Sequence, residues 1–378
     1  MTLSSKTAPI PTMDVKSKEI IEEDENFLKF FNKQLIRLFY DAFRFSLKSP
    51  SYAYFLLKTL QYQKKAQKVR SKWKEQQLHV PAFLIFSVTG KCNLQCKGCY
   101  SHAQHRNKEA ELSSQKLRDI IAEAKDLGIS IILFAGGEPF IRPELLDITA
   151  QFPEIIFPIF TNGLLINDIM IQKLKKQKNV IPVLSIEGGY EETDLRRGTG
   201  VFGKVQNVMQ KLFQARIFFG TSITLTTSNF SIVTQTTFIQ SIIDHGCKLF
   251  FYIDYVPVKE RTEHLMLTEE QASQISLLTD HFKKQFSQLF VAFPGDEEKL
   301  GGCLSAGRGF LHISPEGRIE PCPFAPYSDT NLQDVSLKEA LQSKFLAQIR
   351  QNHDELMETR GGCALWEKQE WVKTLLHK

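Results

Sequence analysis

The chain has 378 residues, enough to bury a sizeable core as one large domain or two ordinary ones. Hydrophobic residues make up 42% and charged residues 24%, the balance of a globular protein rather than a disordered or fibrous one. The formal net charge of +5 is mild for this length and gives no reason to expect a nucleic-acid partner.

The opening stretch "MTLSSKTAPIPTMDVKSKEIIEEDENF" lacks the basic start and apolar run of a secretory signal, and residues 1 to about 22 read as a polar tail. No run approaches the ~18 consecutive apolar residues of a membrane span, so a cytoplasmic protein is expected. From Phe27 to Gln77 the rhythm is helical. Phe30, Phe31, Leu35, Leu38, Phe39 and Phe43 recur at helical spacings, and Ser49-Pro50 marks the start of a second helix. That helix turns basic with Lys58, Lys64, Lys65, Lys68, Arg70, Lys72 and Lys74. Three roles suit it: packing across the rest of the fold, lying on an anionic membrane surface, or receiving a partner. A total of 29 phenylalanines leans toward an apolar substrate or membrane contact.

After "HVP" short apolar runs alternate with amphipathic stretches. Strands are expected at 82–89, 130–135, 155–161, 180–186, 220–227 and 248–256, with helices near 112–127, 143–151, 165–176, 201–214 and 232–245. Strand and helix alternating in this way build parallel βαβ units, which point to a partial (β/α)6 TIM-like barrel in an α/β fold. Functional residues belong on the loops at the C-terminal strand ends. A smaller α+β region follows, with a helix at 268–287 and two short strands around the turn Ser314-Pro315-Glu316-Gly317. Further helices are expected at 336–351 and 364–376. The expected organisation is therefore 1–80 for the tail and N-terminal helices, 81–262 for the barrel core and 263–378 for the C-terminal domain.

Seven cysteines is an odd count, and Cys92, Cys96 and Cys99 crowd into "TGKCNLQCKGCYSHA". That is a poor disulfide framework and suits metal-bound thiolates in a reducing compartment. The loop directly follows the first expected strand. Structural zinc takes four ligands, so His102 or His105 would have to complete such a site. A four-iron cluster held by three thiolates instead keeps one iron open for a substrate or cofactor, which explains why there are three. A zinc knuckle or buried free thiols are the plainer alternatives. Three more strand ends carry "AGGEP" (Gly136, Gly137, Glu138, Pro139), Thr161-Asn162-Gly163 and "SIEGG" from Ser185 to Gly189. Each is weak singly; their succession in barrel order is not.

With these motifs in order, residues 82 to about 258 resemble the radical S-adenosylmethionine (SAM) superfamily. The resemblance implies a partial (β/α)6 barrel in which Cys92, Cys96 and Cys99 hold one [4Fe-4S] cluster, with SAM on its open iron. It implies that Gly136, Gly137 and Glu138 lie against the methionine amino group, that Asn162 and Ser185 line the SAM pocket, and that Arg197 or Arg196 of "TDLRRG" faces the carboxylate. The implied chemistry is reductive cleavage of SAM to methionine and a 5′-deoxyadenosyl radical that takes a hydrogen atom from an unactivated carbon. A small electron donor, flavodoxin or ferredoxin, is implied with it. The substrate would be a peptide, a lipid or another small molecule. One feature departs from the family: many members have an aromatic residue just before the third cysteine, beside the adenine, and here that residue is Gly98, with Tyr100 beyond it.

Near the C-terminus, "CLSAGRGFLHISPEGRIEPC" resembles the opening half of the SPASM or twitch extensions of radical SAM enzymes, where cysteines flanking a hairpin hold an auxiliary cluster. The dense later cysteine run of a full SPASM domain is absent, so the resemblance implies a shortened domain with one second iron–sulfur cluster. Cys303, Cys322 and Cys363 are its expected ligands, with Cys247, a non-cysteine group or an open position as the fourth. Free thiols or zinc are the plainer reading, and Cys247 also suits core packing. The competing function is a non-catalytic zinc- or iron–sulfur-binding scaffold.

Overall fold

The computed structural model describes residues 50–104, 110–293, 302–356 and 363–376. The helix expected before residue 50 and His105 lie outside the described residues.

Nine strands form one sheet: β1 (Phe83–Thr89), β2 (Ile131–Gly136), β3 (Phe157–Thr161), β4 (Val180–Ile186), β5 (Gly220–Leu225), β6 (Leu249–Asp254), β7 (Leu289–Phe293), β8 (Phe310–Ile313) and β9 (Ile319–Glu320). Their order is β7-β6-β5-β4-β3-β2-β1-β8-β9. Every neighbouring pair is parallel except β8–β9. The first six strands are those expected, and the sheet stays open as a partial barrel. β7 was not expected; it pairs with β6 from Leu249↔Leu289 to Ile253↔Phe293. The hairpin expected in a separate C-terminal unit instead extends the barrel sheet, with Phe83 opposite Phe310 and their rings stacked at 5.2 Å.

Strand geometry sorts the side chains. Along β1, Phe83 and Ile85 line the barrel cavity, while Leu84, Phe86 and Val88 are buried against the outer helices. The helix Ser114–Leu127 shows why those outer layers form: Leu117, Ile120, Ile121, Ala124 and Leu127 make one buried stripe. Ser113 caps its start by accepting from the Lys116 N–H, and Gly128 ends it at φ +89°. Glycine is required there, because a Cβ would lie 2.6 Å from the Ala66 carbonyl oxygen.

That carbonyl belongs to the N-terminal helix, Pro50–Glu75. Its Phe55, Leu56 and Leu60 pack on Ile131, Ile156 and Ile181, at the N-terminal ends of the strands. Ser130 donates to Gln63 Oε1 at 2.7 Å, and the Arg70 guanidinium donates to the Gly128 carbonyl. Packing across the barrel is therefore the role the structure shows for this helix, with Lys58, Lys64, Lys65, Lys68 and Lys72 left exposed. Among the described residues no helix is long and apolar enough to cross a membrane. In the C-terminal region Gly317 takes φ +93° in the expected turn. The helix expected over 336–351 is two, Leu337–Ala340 and Lys344–Gln351, because Ser343 caps a new start by accepting from the Leu346 N–H.

Candidate active site

The cysteine loop is fastened from several sides. At its base Glu111 accepts from the Thr89 hydroxyl and the Gly90 N–H, both at 2.9 Å. The "GGEP" turn grips the same segment: the Gly137 N–H donates to the Thr89 carbonyl at 2.7 Å and the Glu138 N–H to the Lys91 carbonyl at 2.8 Å. On the far side Lys97 and Arg196 exchange bonds, Lys97 N–H to Arg196 carbonyl at 2.9 Å and Arg196 Nε to Lys97 carbonyl at 3.2 Å. His102 Nε2 lies 2.8 Å from the Leu94 carbonyl. Its Nε2 is thus engaged within the loop.

Cys92, Cys96 and Cys99 are half-buried and stand along one wall of a cavity of about 1100 Å³. Burial pushes the Cys92 thiol up to about 11, against an N–H bond from Leu94. Burial also raises Cys96, opposed by the positive charge of Arg197. Burial thus favours the protonated form of the bare Cys92 and Cys96 thiols, whereas iron would draw them as thiolates. Among the described residues no three ligating side chains already form a closed metal cage. The thiols line a chamber instead.

Every other expected SAM-pocket residue borders the same cavity: Gly136, Gly137, Glu138, Asn162, Ser185 and Arg197, with Arg196 beside it. Their local bonds show what each does for the scaffold. Glu138, with no exposed surface, accepts from the Thr161 hydroxyl and the Asn162 N–H at 2.7 Å and from the Phe140 N–H at 3.1 Å. Its burial raises the carboxyl, opposed by those three bonds. It therefore ties the end of β2 to the end of β3. Asn162 Nδ2 reaches the cysteine loop, donating to Asn93 Oδ1 at 2.7 Å with Cys92 Sγ 3.9 Å away. Ser185 and Ser222 share a bond of 3.0 Å between neighbouring strands.

No sequence motif assigns Glu187 a role, yet it organises one side of the site. It is 1% exposed and binds both Arg196 Nη1, at 2.6 Å, and Arg197. The only sequence signal was one acid followed nine and ten residues later by adjacent arginines. Tyr255, at the end of β6, was also missed. It stands beside Gly98, where a Cβ would lie 2.3 Å from the Tyr255 hydroxyl oxygen.

The C-terminal cysteines Cys303, Cys322 and Cys363 line the same cavity. A hydrogen bond to Cys363, then burial and the nearby Cys303, drive the Cys322 thiol well above its ordinary value. The two loops meet where Tyr100 and Phe324 pack edge to face at 5.2 Å. Cys247 is elsewhere. It is fully buried, 3.6 Å from the Thr221 hydroxyl and bonded to the Leu249 carbonyl, so it packs the core and is not the fourth ligand of this set. A triad-like chain of Ser87, His312 and Glu320, each link 2.7 Å, is sealed from solvent and joins β1 to β8 and β9.

Residues 86–231 match the model of the radical SAM superfamily. The chain therefore contains a radical SAM domain over these residues. The AdoMet-dependent heme synthase of Methanosarcina barkeri is 23% identical to it over 317 residues, which are 76% of this chain and 89% of that protein. The PqqA peptide cyclase of Granulibacter bethesdensis is 25% identical over 280 residues, 68% of this chain and 72% of that one. The crystal structure of Streptococcus suis SuiB bound to precursor peptide SuiA aligns with a TM-score of 0.62 at 20% identity, over 76% of this chain and 71% of that one. That likeness bears on the fold. The chain thus carries the core domain of a radical SAM enzyme, a family whose cofactors are a [4Fe-4S] cluster and SAM. The cavity fits both, with the three thiols, the Gly136–Gly137 turn and the Arg196–Arg197 guanidinium pair, held beside the cysteine loop, all on its lining.

Proposed function

We propose that Cys92, Cys96 and Cys99 hold the SAM-cleaving cluster, that Cys303, Cys322 and Cys363 hold a second, and that the enzyme modifies a peptide whose apolar side chain enters the barrel. The observation that carries this reading is the shared cavity, with both thiol sets on its walls and Phe83, Ile85, Leu133, Phe160, Ile253 and Phe293 among its lining. When bound, the cluster and SAM supply one-electron cleavage and hydrogen-atom abstraction, fed by a flavodoxin- or ferredoxin-type donor.

The chain's own residues bind and orient. Arg197, paired to Glu187, presents cationic charge to a carboxylate, and the Gly136–Gly137 turn, whose missing side chains make room for the cysteine-loop backbone, borders the ligand's space. Asn162 braces Cys92 through Asn93. The apolar lining excludes water from a reaction in which stray quenching would waste the abstracting species. A peptide is the substrate class supported by the relative named as a peptide cyclase.

A second reading, a porphyrin, is supported by the heme synthase, the relative matched over more of both chains. The flat aromatic lining suits it too.

Anaerobic reconstitution tests the core of the proposal. The parent protein should bind iron and sulfide and release 5′-deoxyadenosine from SAM under reductant, and Cys96→Ala should do neither. Wild-type SAM cleavage by Cys96→Ala would overturn the ligand assignment, and stoichiometric zinc without sulfide would favour the scaffold alternative. A saturable shift of the visible band of an added iron porphyrin would move the substrate from peptide to porphyrin.

A further inference from the structure

The outer face of the N-terminal helix, Pro50–Glu75, serves neither the barrel core nor the reading above. Its inner face is settled, with Leu56, Thr59, Gln63 and Arg70 buried. At 100° per residue, Tyr54, Leu57, Lys58, Lys65, Lys68 and Lys72 fall within one outward arc of about 100°, and Lys64 lies on its margin. All seven are exposed, Tyr54 at 68% and Leu57 at 51%.

The charge on that face is largely uncompensated. The helix has no acidic residue before Glu75, and none of its five exposed lysines forms an ion pair among the described residues. Lys58 lies over the Tyr62 ring at 5.6 Å, and the charge of Glu154 reaches it. Elsewhere on the surface lysines find acids: Lys173 meets Asp147 at 2.6 Å and Lys211 meets Asp168 at 2.8 Å. Two more exposed lysines, Lys175 and Lys176, end the helix Asp168–Lys176 just before β4, whose Ile181 packs against the N-terminal helix. They add to the positive charge at that end of the molecule.

We propose that this face docks the protein on an anionic phospholipid bilayer, with the lysines against the headgroups and Tyr54 and Leu57 in the interface. The composition favours a bilayer over a protein partner. Lysine is depleted at protein–protein interfaces, whereas an anionic leaflet attracts clustered lysines. From Lys58 to Lys72 the charges run about 21 Å along a convex rod, which suits a plane of charge and offers no socket to a partner side chain. Tyrosine at one end of the row fits the headgroup level, where its ring is apolar and its hydroxyl wet. The helix lies at the N-terminal strand ends, while the loop of Cys92, Cys96 and Cys99 follows the C-terminal end of β1. The bilayer therefore meets the face opposite that loop, as a tether rather than a route for lipid into the cavity. None of the seven residues lines the cavity, so this surface stands apart from the active-site reading.

The test is co-sedimentation of the full reconstituted chain with equimolar phosphatidylcholine–phosphatidylglycerol vesicles, and with phosphatidylcholine vesicles alone. The parent should bind the anionic vesicles, leave the neutral ones, and be released at about 1 M salt, where screening falls to about 3 Å. A lysine near an anionic surface is worth about fivefold in partition. The triple variant Lys64→Gln, Lys65→Gln, Lys68→Gln should therefore lose at least tenfold, while arginine at the same three positions should bind like the parent. A control with the same loss of charge at exposed Lys204, Lys259 and Lys344, each changed to Gln, should also stay near the parent. Tyr54→Ser with Leu57→Ser should weaken binding several-fold and leave its salt dependence unchanged. A parent that ignores anionic vesicles would overturn the proposal. So would equal losses in the two glutamine triples, which would reduce the effect to net charge. Should the helix glutamine triple melt lower than the parent, the arginine triple and the serine pair decide. Tighter binding to duplex DNA than to anionic vesicles, lost in the helix triple, would reassign the face to a polynucleotide.

Discussion

Replacing Gly137 by alanine asks what the "GGEP" turn is for. The added Cβ would lie 2.0 Å from the Lys91 carbonyl oxygen and 2.5 Å from its carbon. Ordinary contacts between such atoms lie near 3.5 Å, so one backbone or the other must move by about 1 Å or more. The movement strains two bonds that hold the turn to the cysteine loop, Gly137 N–H to Thr89 at 2.7 Å and Glu138 N–H to Lys91 at 2.8 Å. Losing both, with buried groups left unpaired, costs about 2–6 kcal/mol. Lys91 adjoins Cys92, so the damage falls on the cluster site before it falls on SAM. Read from sequence, a glycine there serves ligand approach, and a bulkier residue would block SAM while sparing the cluster. The structure gives the opposite order. Gly137→Ala should show lowered iron and sulfide per chain after anaerobic reconstitution and a lowered melting temperature before it. Parent values for iron, sulfide and melting in this variant would refute the argument.

Replacing Cys303, Cys322 and Cys363 together by alanine should leave roughly half the iron if each thiol set holds one cluster. The remaining EPR signal should still respond to SAM, and unchanged iron would eliminate the second cluster. Glu187→Ala strands two guanidinium groups that are 15% and 12% exposed, and removal of one member of a buried ion pair costs about 3–5 kcal/mol. An unchanged melting temperature would show the pair to be incidental. His312, pushed by burial from 6.5 down to about 3, stays neutral in the folded chain. The unfolded chain takes up a proton there that the folded one refuses. Its contribution is therefore full above about pH 6.5 and is lost as pH falls toward 3. His312→Gln should flatten the fall of urea stability across that window, and equal slopes for variant and parent would assign the acid sensitivity elsewhere.

The six strands after residue 82 were legible because each is a short apolar run between helix-length spacers, and the strand-end motifs gave the cavity its first outline. Other parts left no local mark. β7 is five apolar residues soon after a long helix, with no alternation to separate it from that helix. The pairing of β8 with β1 spans over 220 residues, and nothing near either strand names its partner. Glu187 was quoted within a motif, but its function depends on Arg196 and Arg197 returning to it on a helical turn. Tyr255 had no motif at all. Only the space left open by Gly98 explains it.

The Ser87–His312–Glu320 chain bears on how the two thiol sets come to share one cavity. Ser87 lies five residues before Cys92, and Glu320 two before Cys322. Between them β1 and β8 form a short parallel pair whose apolar members, such as Phe83 and Phe310, would pack tolerably after a shift of two residues. A slip of one would turn each strand's inner side chains outward. Ser87 opposite its neighbours on β8 is different. In the native register the neutral imidazole accepts from the Ser87 hydroxyl at Nε2 and donates from Nδ1 to the Glu320 carboxylate, and all three groups are buried. Any other register would leave a buried hydroxyl, imidazole and carboxylate without these partners, at about 1–3 kcal/mol each and more for the charged one. The polar chain therefore penalises slips that the aromatic contacts alone would permit. Because it sits between the two cysteine-bearing segments, the register it selects is also what brings Cys322 within the cavity that Cys92 lines.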